Sequence, residues 1–215
     1  MKFHENQYYH LYNRTNNEEA LFRSDENYLY FLKKYRFYLD EFLDTIGYCL
    51  MPTHFHFLVR VKYYKKNYNS DVQHLADVGH LQISKNVGHL PDSITNSDVQ
   101  HLADVGHLIS RGMQTLQSSY TKAVNKRYNR HGSLFQAHFK SKPVSNDRYL
   151  ISLLTYIHQN PVRLGLTNNA FEWKYSSYQD YIDLRNGKLP KKEIILSMIR
   201  KEELRDLTEK RLIDI

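Results

Sequence analysis

The chain has one cysteine in 215 residues, Cys49, so it can form no internal disulfide; this fits a reducing, cytoplasmic setting. It also lacks a long apolar run. The hydrophobic stretches are short and interrupted, which excludes a transmembrane helix and a membrane role. The first residues, MKFHENQYYH, are too polar for a secretory leader. What is present is basic and aromatic: net charge +7, with 18 Tyr and 10 Phe. Cations supply contacts to phosphates and rings supply faces for unpaired bases, so a single-stranded nucleic acid is a natural partner for this composition. The plainer reading of the rings is a hydrophobic core.

The length suits one domain with an appendage. YYHLYN (8–13) reads as a first strand. SDENYLYFLKKYRFYLDEF follows as a helix with Ser24 in the cap position and Leu29, Leu32, Tyr35 and Leu39 on its apolar face. TIGYCLM and HFHFLVRV form a strand pair around a Pro52-Thr53 turn. NSDVQHLADVGHL then occurs at 69–81 and again, identically, at 96–108. Two copies are too few for a solenoid, and residues 67–109 read as an inserted loop, partly disordered or forming short helices. That loop carries five Asp and one Lys, a net −4, which leaves +11 on the rest of the chain. Its five histidines (His74, His80, His89, His101, His107) come with neither cysteines nor a fixed turn, so they give no second metal site.

After the insert, a helix with Met113, Leu116, Tyr120 and Val124 on one face ends in a basic cluster and stops at Gly132. SLFQAHFKSKPV is a further strand. NDRYLISLLTYIHQN is a helix capped by Asn146 and ended by Pro161. The last part, 181–215, reads as a helical C-terminal tail. The order predicts an α+β fold: an antiparallel sheet with helices packed on one face.

The chemistry-bearing stretch is YCLMPTHFHFLVR (48–60). Alternation in a strand puts His54 and His56 on one face, about 7 Å apart, and Phe55, Phe57 and Val59 on the other. Two such imidazoles can share a metal ion if a third ligand arrives from elsewhere; without one they are a solvent-facing pair. Tyr156 and Asn160 lie four apart on the late helix and so share a side of it. There Asn160 could supply a ligand oxygen with Tyr156 beside the ion, or Tyr156 could be a core aromatic.

Four ordered blocks, MPTHFHFLVR, GSLFQAHFKSKPV, YLISLLTYIHQNPVRLGL and FEWKYSSY, together resemble the REP-associated tyrosine transposases, a group of single-tyrosine HUH enzymes. The likeness spans most of residues 1–180, interrupted by the 67–109 insert. It implies a ferredoxin-like sheet with the HUH strand central. It further implies Mg²⁺ or Mn²⁺ held by His54, His56 and Asn160, and Tyr156 as the nucleophile that makes a 5′-phosphotyrosine link to single-stranded or hairpin DNA. Relatives commonly carry Asn where this chain has Thr53. DNA contacts are expected from Lys122, Lys126, Arg127, Arg130, Gln136, Lys140, Lys142 and Arg163. A homodimer is left open. The competing class is a domesticated protein that holds hairpin DNA without cutting it. A ferredoxin-like RNA-binding module would need exposed aromatics where this sequence places the histidines.

Overall fold

The computed structural model describes residues 2–64, 105–210 and 212. Strand β1 (Tyr8–Arg14) is followed by helix α1 (Asp25–Leu39), strands β2 (Leu43–Met51) and β3 (His54–Val61), helix α2 (Val105–Tyr128) and strand β4 (Lys140–Pro143). The four strands form one sheet in the order β2-β3-β1-β4, and every neighbouring pair is antiparallel. This is the expected α+β, ferredoxin-like arrangement, with the His-x-His strand β3 in the interior of the sheet. The Pro52-Thr53 turn sets the register of β2 on β3: Met51 faces His54, Cys49 faces His56 and Tyr48 faces Phe57.

Period-two alternation divides the sheet chemically. Tyr9, Leu11, Tyr48, Leu50, Phe55, Phe57 and Val59 join a core with α1 and α2. The ring of Tyr35 stacks on Phe57 at 3.9 Å, and its hydroxyl is 2.9 Å from Thr45 Oγ1. From α2, Met113, Leu116, Tyr120 and Val124 are buried, as the spacing predicts. Helix α1 turns differently. Its buried residues are Asn27, Tyr28, Phe31, Tyr35, Tyr38 and Leu39, while Leu29 is 63% exposed. Ser24 occupies the cap position but makes no cap hydrogen bond; Asn27 Oδ1 instead accepts from the Arg23 backbone N–H at 3.0 Å.

Helices are not confined to one face. Helix α3 (Asp147–Arg163) lies on the opposite side, setting Leu150, Leu153, Leu154 and Ile157 over Ile46, Cys49 and Leu58. Those three sheet residues are apolar, and burying them needs a third layer. Gly47 permits the approach: a Cβ there would collide with Leu154. The Asn146 cap is present, accepting from the Tyr149 N–H at 2.9 Å. Pro161 does not end the helix, which continues to Arg163. A proline removes the N–H that would bond the Ile157 carbonyl, and the Asn160 side-chain amide donates toward that carbonyl (3.4 Å) and to the Tyr156 carbonyl (2.9 Å).

The stretch read as an insert also ends earlier than expected. Helix α2 begins at Val105, and Val105, Leu108 and Ile109 are buried in the core. The end of the second repeat copy is thus the first part of a long helix that joins the core. The rest of the insert, with His74, His80, His89 and His101, lies outside the described residues. The FEWKYSSY block lies along β2: the Leu50 N–H donates to the Tyr175 carbonyl and the Ser177 N–H to the Tyr48 carbonyl. Beyond it come short helices α4 (Tyr178–Tyr181), α5 (Lys192–Leu196) and α6 (Lys201–Lys210). Gln159 of α3 donates to the Leu207 and Thr208 carbonyls, so the C-terminal segment packs on α3. Among the described residues no helix is long and apolar enough to cross a membrane.

Candidate active site

The second face of β3 carries His54 and His56 past the end of the apolar patch under α3. Their ring centroids are 5.2 Å apart and nearly perpendicular. Across the β1–β3 ladder, Arg14 pairs with His54 and Tyr12 with His56, which places His10, Tyr12 and Arg14 on the same face. On the other side of β1, Lys142 pairs with His10 and Lys140 with Tyr12. Helix α3 brings Tyr156 to this group, its ring 6.4 Å from that of His56 and roughly perpendicular to it. Of these, Tyr12, Arg14, His54, His56, Lys140 and Tyr156 border a cleft of about 570 Å³, which Asn160 and Gln136 also line.

The electrostatics keep the imidazoles neutral. Burial pushes His54 down to about 4, helped by the Arg14 charge. Burial also holds His56 well below its ordinary value, with His10 and His54 adding to the effect. His10 is lowered to about 4 by burial and then by Lys142. At neutral pH each ring therefore keeps a lone pair free of protons, the form a metal requires.

Among the described residues no group of three His, Cys, Asp or Glu side chains is placed to hold a metal ion. If a metal ion sits here with His54 and His56, a third ligand from the described residues is of another type. Asn160 fits: its NH₂ group donates to carbonyls of its own helix, so its carbonyl oxygen is the atom left for the cleft. Two imidazoles and an amide oxygen suit a borderline divalent ion such as Mn²⁺; Mg²⁺ prefers an all-oxygen shell.

The expected DNA-contact residues divide into groups. Gln136 and Lys140 line the cleft. Lys142 is exposed one alternation further along the edge strand. The Arg163 guanidinium lies over the Tyr156 ring, 5.1 Å from its centre. Lys122 borders a second cleft of about 770 Å³ along α2, which meets the first at Gln136. Lys126 is exposed near the end of α2. Arg127 and Arg130 are engaged within the fold, with Glu26 at 2.6 Å and Glu19 at 2.7 Å.

Three participants escape a linear reading. His10 Nε2 is 2.8 Å from His56 Nδ1, and the rings of His10, Tyr12 and His56 form a cluster with centroids 4.7 Å (His10–Tyr12), 5.0 Å (His10–His56) and 5.9 Å (Tyr12–His56) apart. Tyr12 and Arg14 also line the cleft. The available signal was the period-two set His10, Tyr12, Arg14, but it meets His54 and His56 only once the strand register is known.

A solved structure of a REP-associated tyrosine transposase bound to a REP hairpin matches this fold with a TM-score of 0.55, over 85% of this chain and 83% of that one, at 11% sequence identity. At that identity the likeness is one of fold. No protein-family model matches the sequence, and no curated protein matches it.

Proposed function

We propose that this chain cuts and rejoins single-stranded DNA beside hairpins, with Tyr156 as nucleophile and a divalent ion as cofactor. The observation that carries this reading is the convergence of His54, His56, Asn160 and Tyr156 on one cleft from two separate elements. The transposase that shares the fold is bound to a REP hairpin, which supports hairpin DNA as the ligand class.

In the proposed reaction the Tyr156 oxygen attacks the scissile phosphorus. A P–O bond to tyrosine forms, the bond to the 3′ oxygen breaks, and the phenol proton leaves while the released 3′ oxygen gains one. The reverse attack by a 3′ hydroxyl rejoins the strand, so no hydrolysis is needed. A Mg²⁺ or Mn²⁺ ion held by His54, His56 and Asn160 would supply charge neutralisation at the phosphate. Arg163 holds the Tyr156 ring by its face. Lys140 and Lys142 on the edge strand would take backbone phosphates, and the cleft along α2 would carry the strand past Gln136 and Lys122. All four of these residues reach the cleft from within one chain.

The test uses labelled hairpin DNA from beside the gene, with Mn²⁺, Mg²⁺ or EDTA, resolved on a denaturing gel. A metal-dependent covalent adduct is expected from the wild type and from neither Tyr156→Phe nor His56→Ala. Tight hairpin binding with no adduct under any metal would replace the reading with a binder that does not cleave.

A further inference from the structure

We propose that His10 and Thr53 are positioning residues that hold the two cleft histidines in one tautomer, with the proton on Nδ1 and the lone pair of Nε2 turned to the ligand. This rests on the metal reading above and adds to it what makes the histidines competent.

A neutral imidazole carries its proton on either nitrogen, and only the bare nitrogen can bind a metal. Which one is bare depends on the partner of the other. Here both rings have the same nitrogen tied. His54 Nδ1 is 3.0 Å from Thr53 Oγ1. His56 Nδ1 is 2.8 Å from His10 Nε2. In each case Nε2 is what remains for the cleft that both rings line.

A hydroxyl both donates and accepts, so Thr53 orients His54 and follows its tautomer. His10 Nε2 likewise takes either role with its own tautomer. The bridge to His56 holds one proton, and a lone pair on His56 Nε2 requires that His56 donate and His10 accept. His10 is suited to hold that role because it cannot swing away: it is buried and stacked on Tyr12 at 4.7 Å and on His56 at 5.0 Å. Its β1 position, one alternation before Tyr12, which lies opposite His56, gives the diagonal reach that the pairing needs. A partner that needed only to fill space could be any ring of this size; a buried nitrogen at hydrogen-bonding distance is a more specific choice.

Two measurements on the full chain test this. The first is long-range ¹H–¹⁵N correlation of the metal-free protein, with the His56 ring assigned by its loss in His56→Ala. The wild type is expected to show His56 protonated on Nδ1, and His10→Phe is expected to shift it toward the Nε2–H form or a mixture. The second is Mn²⁺ affinity by calorimetry. His10→Phe is expected to weaken binding roughly 10–100-fold, and His10→Gln, whose carbonyl can accept, to recover most of it. Thr53→Val should weaken binding and Thr53→Ser restore it. An Nε2-protonated His56 in the wild type overturns the proposal, as does a folded His10→Phe that binds Mn²⁺ like the wild type. If the wild type binds no Mn²⁺, the metal reading fails while the tautomer measurement still decides the role of His10. Should His10→Phe not fold, the tautomer in His10→Gln and the Thr53 pair decide the matter.

Discussion

The two faces of β3 are one residue apart and do opposite work. On one, Phe55, Phe57 and Val59 are fully buried against the aromatic side chains of α1 and α2. On the other, Leu58 lies under α3, but His56 and His54 run out from beneath it into a cleft. Both faces obey the same alternation; what differs is the cover. The first face is sealed along its length by two helices. The second is covered by α3 over Ile46, Cys49 and Leu58 and opens into the cleft at His54. Stability is thus concentrated on the first face and ionisable chemistry on the second, and a single strand serves both without compromise.

The sharpest way to break that division is a matched pair of substitutions. Phe57→Ala removes a ring that stacks on Tyr35 and should cost about 3–5 kcal/mol in a denaturant titration. His56→Ala should cost far less and should remove Mn²⁺ binding. A large stability loss for His56→Ala with intact metal binding would show that the second face is structural too. Next in size is Gly47→Ala, where α3 sits hard on the sheet. The added methyl collides with Leu154 and also meets Ser177 Oγ at 3.3 Å, so overpacking should cost about 1–3 kcal/mol.

Acid should act on the second face alone. His10 and His54 have values near 4 in the folded chain against 6.5 when unfolded, and burial takes His158, under α3, to about 3. Below 6.5 the unfolded state takes up protons that the folded state refuses, so stability falls as pH drops from about 6.5 toward 4. Urea midpoints across that range should therefore decline before carboxylates titrate. If the proposed site holds Mn²⁺, the added ion should oppose the decline, because it needs the neutral forms of His54 and His56. A flat profile between pH 6.5 and 5 would mean the rings are more hydrated than their burial implies.

The hairpin at the centre of the sheet was legible in the sequence because it rests on short-range rules: β2 and β3 flank a two-residue turn, and β3 runs from His54 to Val61 as the alternation predicts. The stretch SLFQAHFKSKPV is a strand only at Lys140–Pro143. Helix α1 shows where such rules lose grip. Between Tyr28 and Leu39 most residues are apolar or aromatic, so the stripe through Leu29 and Leu32 and the one through Tyr28 and Phe31 both have helical spacing and meet at Tyr35. Only packing against α2 selects the second. Pro161 misleads for a related reason: the rule that proline ends helices assumes nothing replaces the lost N–H, and Asn160 replaces it. Of the cleft, His54, His56, Tyr156 and Asn160 were readable from spacing and resemblance together. His10 was not, because its partner is 46 positions away and the contact depends on strand register.

The smallest expected effect separates cations that face the second side of the sheet from those tied up elsewhere. Lys140 borders the cleft with its ammonium 6.0 Å from the Tyr12 ring centre, exposed and beside the proposed strand path. Arg127 is also exposed, but it faces Glu26 across the α1–α2 side at 2.6 Å. If DNA runs over the cleft, Lys140→Gln should lower the slope of log affinity against log salt by about one, with little change in which hairpin is preferred. Arg127→Gln should leave that slope unchanged and shift stability by less than about 1 kcal/mol, the usual worth of an exposed ion pair. A slope lost with Arg127 and kept with Lys140 would move the DNA to the helical side of the molecule and separate it from the histidines altogether.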